Sequence, residues 1–171
     1  MNEKKLDFLL KEIAQDNRDA FETLYRETKK GVYAFLYPYF GNRYDTEDCM
    51  QTAFLKIKQS AHAYRAGTNP SAWMLQIAKN AALDEKRKRK RVVYTDIPPS
   101  APAETAEDSG VFEALQRALE SEERQIVILH VLWGYKHREI ANFLNLPVGT
   151  VTSKYKRAVG KIKKYMKENR A

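Results

Sequence analysis

The sequence predicts an all-α protein: two small helical domains joined by a flexible acidic linker, the second domain a helix-turn-helix. Three observations predict it. Apolar residues recur at helical spacing almost throughout, while strict alternation is scarce. Residues 95–110 are apolar-poor, acidic and proline-containing, and divide the 171 residues into 1–94 and 111–171. Tyr135–Lys161 reads as a helix, a tight turn and a second helix, the order of a DNA-binding helix-turn-helix.

The first element carries Leu6, Leu9, Leu10 and Ile13 on one face and ends near Gln15-Asp16-Asn17. Asp19, with Glu22 three residues on, reads as a capping box for the next helix. That helix carries Phe21, Leu24, Tyr25, Thr28, Val32, Phe35 and Leu36, and Pro38, Gly41 and Asn42 punctuate it. Most of the aromatics Tyr33, Phe35, Tyr37, Tyr39, Phe40 and Tyr44 are expected in the core, with tyrosine hydroxyls at the surface.

Asp45-Thr46-Glu47-Asp48 opens a third helix, since acids in a first turn complement the helix dipole. Its apolar stripe is Met50, Phe54, Leu55 and Ile57, and its polar side shows Asp45, Asp48, Gln51, Thr52 and Lys56. His62 to Pro70 is a loop. A fourth helix starts near Ser71 with Trp73, Met74, Ile77, Ala78 and Ala81 inward, and runs on into Lys86-Arg87-Lys88-Arg89-Lys90-Arg91. Two readings of these six cations stand: a phosphate-binding surface, or a solvated charge run such as an import signal.

The linker holds three of the six prolines, Pro98, Pro99 and Pro102, and its only charges are Asp96, Glu104, Glu107 and Asp108. Beyond it, Val111, Phe112, Leu115 and Leu119 form one stripe. Ile126, Val127, Leu129, His130, Leu132 and Trp133 form another, closed by Gly134. In the helix-turn-helix, Ile140, Ala141 and Leu144 share a face, Asn145-Leu146 breaks the pattern, and Pro147 suits the first turn of the last helix. Val151, Tyr155 and Ala158 line that helix's inner side, and Thr152, Ser153, Lys154, Lys156 and Arg157 its other face. Hydroxyls and cations are the groups that reach phosphates and base edges. An ordinary helical hairpin with a solvated face is the competing reading. Against it, eight Lys or Arg and one acid, Glu168, follow Thr152.

A formal charge of +8 points to a polyanionic partner. The lone Cys49 forbids an intrachain disulfide and fits a reducing cytoplasm. No signal peptide or membrane-spanning run is apparent, so no membrane insertion is expected. Enzymatic constellations are weak. Asp45, Glu47 and Asp48 with His62 allow a metal-dependent nuclease, but the acids suit a helix N-terminus without metal. Cys49 and His130 read as packed groups and His137 as solvent-facing. No catalytic residue, cofactor or metal is expected.

Four segments together resemble an extracytoplasmic-function (ECF) sigma factor, a small two-domain bacterial sigma subunit. They are Asp19–Tyr25, Thr46–Leu55, Trp73–Asn80 with Asp84 and Arg87, and Arg124–Val127 with Gly149–Ser153 and Arg157-Ala158. The resemblance implies a transcription initiation factor without catalysis of its own. It would bind core RNA polymerase and promoter DNA, both duplex and locally melted, with an anti-sigma factor as a further partner. The location would be the cytoplasm, or the membrane by way of that anti-sigma factor.

The resemblance also implies roles. Asp45, Glu47, Asp48, Gln51 and Phe54 would dock on core polymerase. His62, Arg65 and Asn69 belong to a loop that captures a flipped base. Trp73 is core or a wedge against the opened duplex, with most of its surface expected in the core. Asn80 would meet a base edge, and Arg87, Lys88, Arg89, Lys90 and Arg91 would hold phosphates by the minus-ten element. Thr150, Thr152, Ser153, Lys154, Lys156 and Arg157 would meet the minus-thirty-five element. The acidic linker would thread toward the polymerase channel. Departures from the family are Glu120 for a common proline, Thr52 for an acid, Thr152 for a base and Tyr155 for an aliphatic residue. A conventional helix-turn-helix regulator is the alternative. It predicts a dimer on a palindrome and leaves Trp73–Arg91 unexplained.

Overall fold

The computed structural model describes residues 2–91 and 109–169. The linker acids Asp96, Glu104, Glu107 and Asp108, and the side chains of Arg91, Val111 and Phe112, lie outside the described residues. The described residues form eight α-helices, one 3₁₀ turn and no strand. The chain divides into two compact units, Met1–Ala103 and Glu104–Ala171.

In the first unit α1 (Glu3–Ile13), α2 (Arg18–Phe40), α3 (Arg43–Ser60) and α4 (Pro70–Arg91) pack on one another, with a 3₁₀ turn at Ala61–Ala63. Leu6, Leu9, Leu10 and Ile13 are all buried, so the period read for α1 holds. The cap of α2 is Asn17, not Asp19: Asn17 Oδ1 accepts from the Ala20 N–H at 3.2 Å, and Asp19 sits in the first turn. Pro38 does not end α2. The helix runs on to Phe40 and stops at Gly41, whose φ of +72° is a left-handed conformation costly for other residues.

Aromatic burial is narrower than expected. Phe35 is fully buried, Tyr33, Tyr37, Tyr39 and Phe40 are half-buried, and Tyr44 is 81% exposed. In α3 the inner face is Thr46, Cys49, Met50, Ala53, Phe54 and Ile57, while Leu55 is 57% exposed. A 3.6-residue period explains the correction, since Leu55 follows Phe54 by 100° and leaves the stripe. In α4 the deepest residues are Met74, Leu75, Ala78, Ala81 and Ala82. Trp73 and Ile77 are only half-buried.

The second unit comprises α5 (Ser109–Ala118), α6 (Ser121–Val131), α7 (His137–Leu144) and α8 (Val148–Glu168). α8 packs against α5, α6 and α7. Leu115, Leu119, Val127 and Ala158 form a buried cluster flanked by Tyr155 and Ile162. α6 ends earlier than its stripe suggested: Leu132 is the C-cap and is exposed, while Trp133 turns inward. Asn145 takes φ +56° at the end of α7, and Pro147 is the N-cap of α8 rather than its first turn. Glu120, where the resembled family commonly has proline, holds φ −73°, which proline also adopts. It keeps an N–H that donates to Glu123 Oε2 at 3.2 Å, a bond proline could not make.

Candidate nucleic-acid and polymerase interfaces

The first unit gathers its candidate residues on α3, on the loop before α4 and on α4 itself. Asn42 caps α3: its Oδ1 accepts from the Asp45 N–H at 2.9 Å, and its Nδ2 donates to Asp45 Oδ2 at 2.7 Å. Asp45 also receives Arg89, with Nη1 2.6 Å from Oδ2 and Nη2 2.7 Å from Oδ1. This two-pronged geometry is the strong form of the guanidinium–carboxylate pair. The Arg89 hydrogen bonds are the main reason the Asp45 carboxyl sits below its ordinary pKa. Arg89 Nε further donates to Glu85 Oε1 at 3.0 Å, and the guanidinium lies 5.6 Å from the Phe40 ring centroid.

The six-cation run is therefore not uniform. Arg89 turns back onto the helical core, while Lys86, Arg87, Lys88 and Lys90 are exposed. Arg87 Nη1 donates to Asp84 Oδ1 at 3.2 Å.

On α3, Glu47 is paired with Arg43 at 2.7 Å. Asp48 and Gln51 are exposed, and Phe54 is not available for docking. It is 2% exposed and packs edge-on against Tyr25, ring centroids 4.8 Å apart. The outward surface of α3 instead carries Asp48, Gln51, Thr52 and Leu55. Asp48, Cys49 and Thr52 line a groove of about 300 Å³ with Asp84, Glu85, Arg87 and Lys88 of α4. Burial, and then the nearby Glu85 and Asp48 carboxylates, push the Cys49 thiol up to about 12.

The loop exposes His62, Arg65 and Asn69 and buries Tyr64, Pro70 and Ser71. His62 lines a second groove with Ile13, Leu55 and Lys58. Asn69, an exposed residue, caps α4, its Oδ1 accepting from the Ala72 N–H at 2.9 Å. Trp73 stacks obliquely on Tyr64 with centroids 5.4 Å apart and keeps part of its surface in solvent. Asn80 is exposed about two turns further along and accepts from Gln76 Nε2 at 3.0 Å.

In the second unit the outward face of α8 carries Ser153, Lys156 and Arg157, all exposed, with Thr150 at its edge. Ser153 Oγ donates to the Thr150 carbonyl at 3.0 Å. Two expected contact residues are engaged elsewhere: Thr152 Oγ1 lies 3.1 Å from His137 Nδ1, and Lys154 pairs with Glu122. His137 is half-buried, not solvent-facing. Its ring packs on those of Tyr155 and His130, each at 5.1 Å, and His130 packs on Tyr155 at 4.7 Å, so the residue departing from the aliphatic pattern completes a three-ring cluster.

Lys161 braces α8 on α6 through Glu123, with Nζ 2.9 and 2.8 Å from the two carboxylate oxygens. Burial of Glu123 opposes its ionisation, but Lys161 and the Glu120 N–H outweigh it and hold its pKa below the ordinary value. Composition alone did not reveal the supporting residues Asn42, Glu85, Glu122 and Glu123. The i, i+4 spacing of Glu85 and Arg89 was the one legible signal. Among the described residues no group of three His, Cys, Asp or Glu is placed to hold a metal, and no helix is long and apolar enough to cross a membrane.

Comparison with known proteins places these elements. The family model for sigma-70 region 2 matches residues 24–92, and that for sigma-70 region 4 matches residues 110–162. The ECF RNA polymerase sigma factor SigE of Mycolicibacterium smegmatis is 31% identical over 86% of this chain, which spans 62% of that protein's length. The ECF RNA polymerase sigma factor SigW of Bacillus subtilis is 24% identical over 93% of this chain and 95% of its own. The fold is shared with the sigma factor RpoE from Bartonella quintana, solved in complex with the anti-sigma factor NepR. There the TM-score is 0.63 and the identity 22%, over 88% of this chain and 98% of that one. With both sigma-70 regions matched in order and ECF sigma factors as relatives along most of its length, the chain belongs to the sigma-70 family, as an ECF sigma factor.

Proposed function

We propose that this chain binds core RNA polymerase, directs it to a two-part promoter and assists melting of the start-proximal DNA, with the polymerase carrying out the chemistry. Residues 1–94 are assigned to polymerase and minus-ten binding, 95–110 to the acidic linker and 111–171 to minus-thirty-five binding. One observation carries the reading: a single chain joins a region 2 unit, whose last helix ends in exposed cations, to a region 4 helix-turn-helix whose last helix exposes Ser153, Lys156 and Arg157. A solitary regulator needs only the second of these.

The roles are divided by surface. Asp48, Gln51 and the exposed Leu55 form the polymerase-docking face of α3. Arg65, Asn69 and the open part of Trp73 surround the position of a flipped base, held by stacking and edge hydrogen bonds. Lys86, Arg87, Lys88 and Lys90 take phosphates beside the melted segment. Ser153, Lys156 and Arg157 enter the major groove of the upstream element. An anti-sigma protein is a further partner, as in the complex of the Bartonella relative.

Fluorescence anisotropy with labelled full-length chain tests the order of events. Saturable binding to core polymerase, and promoter-specific DNA binding only in its presence, is the expected result. Specific duplex binding by the chain alone, unaffected by core polymerase, contradicts it.

A further inference from the structure

We propose that Asp7 of α1 is a positioning residue for promoter opening, holding the 64–71 loop in its base-capturing shape. The inference rests on the reading of that loop given above. Residue 7 lies outside both family matches, which begin at residues 24 and 110.

Asp7 is 57 and 60 residues from its two loop partners, yet a single oxygen serves both. Oδ1 accepts from the Tyr64 hydroxyl at 2.7 Å and from the Gly67 N–H at 2.7 Å. Lys11 Nζ lies 2.9 Å from the other oxygen, Oδ2. One turn back on the same helix, Glu3 Oε2 accepts from the Ser71 N–H at 3.2 Å. α1 thus grips the loop at its start, its apex and its end.

The apex needs this grip. Gly67 has φ +77°, a conformation of glycine in a turn, and its N–H points at the carboxylate instead of at water. Tyr64 transmits the hold to the candidate site, because its ring stacks on Trp73 with centroids 5.4 Å apart. None of these bonds uses the Arg65 guanidinium or the Asn69 amide NH₂, and both residues are exposed. The loop is therefore fixed from behind while its DNA-facing groups stay free. Fixing it beforehand removes an ordering cost that capture of an unstacked base would otherwise bear. The carboxylate state of Asp7, held down to a pKa of about 2 chiefly by Lys11, agrees with this geometry.

The test uses full-length chain, core polymerase and one promoter fragment in two forms: fully duplex, and with the start-proximal segment pre-opened by mismatches. Run-off transcript is measured for Asp7→Ala, Asp7→Asn, Tyr64→Phe, and Arg65→Ala as a direct loop contact. Thermal unfolding and core-polymerase binding are measured alongside. Asp7→Ala is expected to lose roughly tenfold on the duplex, the scale of a charge-assisted hydrogen bond, and to recover on the pre-opened fragment. Asp7→Asn, which keeps an acceptor at Oδ1, is expected to fall between it and the parent. Tyr64→Phe, which removes one donor and keeps the ring, reports the same trend should Asp7→Ala fold poorly.

Equal loss on both fragments would assign Asp7 to stability alone and overturn the proposal. Unchanged duplex activity in Asp7→Ala and Tyr64→Phe beside a defective Arg65→Ala would also overturn it, leaving the loop reading intact. Full activity of Arg65→Ala as well would overturn the loop reading itself.

Discussion

Arg89 lies within the run of cations at the end of α4 yet directs its guanidinium onto Asp45, through bonds of 2.6 and 2.7 Å. The pair ties the start of α3 to the end of α4, and it sets Arg89 apart from the exposed Lys86, Arg87, Lys88 and Lys90. Arg89→Ala is expected to destabilise the chain by about 2 kcal/mol, because it leaves a half-buried carboxylate without its partner. In holoenzyme–promoter binding it should leave the slope of log K against log salt unchanged. Lys88→Ala and Lys90→Ala should each lower that slope by roughly one while barely affecting stability. Urea unfolding and salt titrations measure the two effects separately.

α3 allows the same separation between adjacent residues. Phe54→Ala should cost about 3–5 kcal/mol by emptying a core site against Tyr25. Leu55→Ala should change stability by less than about 0.5 kcal/mol and weaken core-polymerase binding. A Leu55→Ala variant that binds polymerase like the parent would remove Leu55 from the docking face.

Acid should loosen the fold at named points. Asp7, Asp45 and Glu123 all have pKa values below their ordinary ones in the folded chain. A depressed carboxyl binds fewer protons folded than unfolded, so its contribution is complete above the ordinary carboxylate range. That contribution is lost as pH falls through the folded value. Stability is thus expected to hold at neutral pH and decline below about pH 4, the ordinary carboxylate value. Asp7→Asn should flatten the decline from pH 4 toward about 2. Unfolding midpoints across pH for parent and variant are the measurement.

On α8, Lys156→Ala and Arg157→Ala should each weaken holoenzyme affinity for the upstream element and reduce the salt slope by about one. Lys154→Ala should reduce it less, since Lys154 is paired with Glu122. Competitive binding with and without the upstream element isolates these effects.

Cys49 is buried and its thiol is pushed up to about 12, so little thiolate is present at neutral pH. Ellman's reagent should react with it only as fast as the chain opens, and stoichiometrically in denaturant. Rapid labelling of native protein would contradict its burial.

Periodicity carried much of this fold. Leu6, Leu9, Leu10 and Ile13 needed nothing beyond spacing, and the helix-turn-helix announced itself through Ile140, Ala141, Val151 and Ala158. Errors arose where local patterns compete. Leu55 shares the chemistry of the stripe but not its angle. Asp19 resembles a cap, yet Asn17 is better placed by two residues. Within the candidate site, charge runs were legible and pairings were not. Asp7 with Tyr64, Asp45 with Arg89 and Glu123 with Lys161 join residues far apart in the chain, so only the packing of helices sets those partners.

Promoter-directed initiation by this chain is measured by run-off transcription with purified core RNA polymerase, a pool of bacterial promoter fragments, and reactions with and without the full-length chain. Chain-dependent transcripts from defined starts are expected, with two separated sequence elements shared among the selected fragments. Transcripts that are independent of the chain, together with palindromic duplex binding by the chain alone, would contradict it.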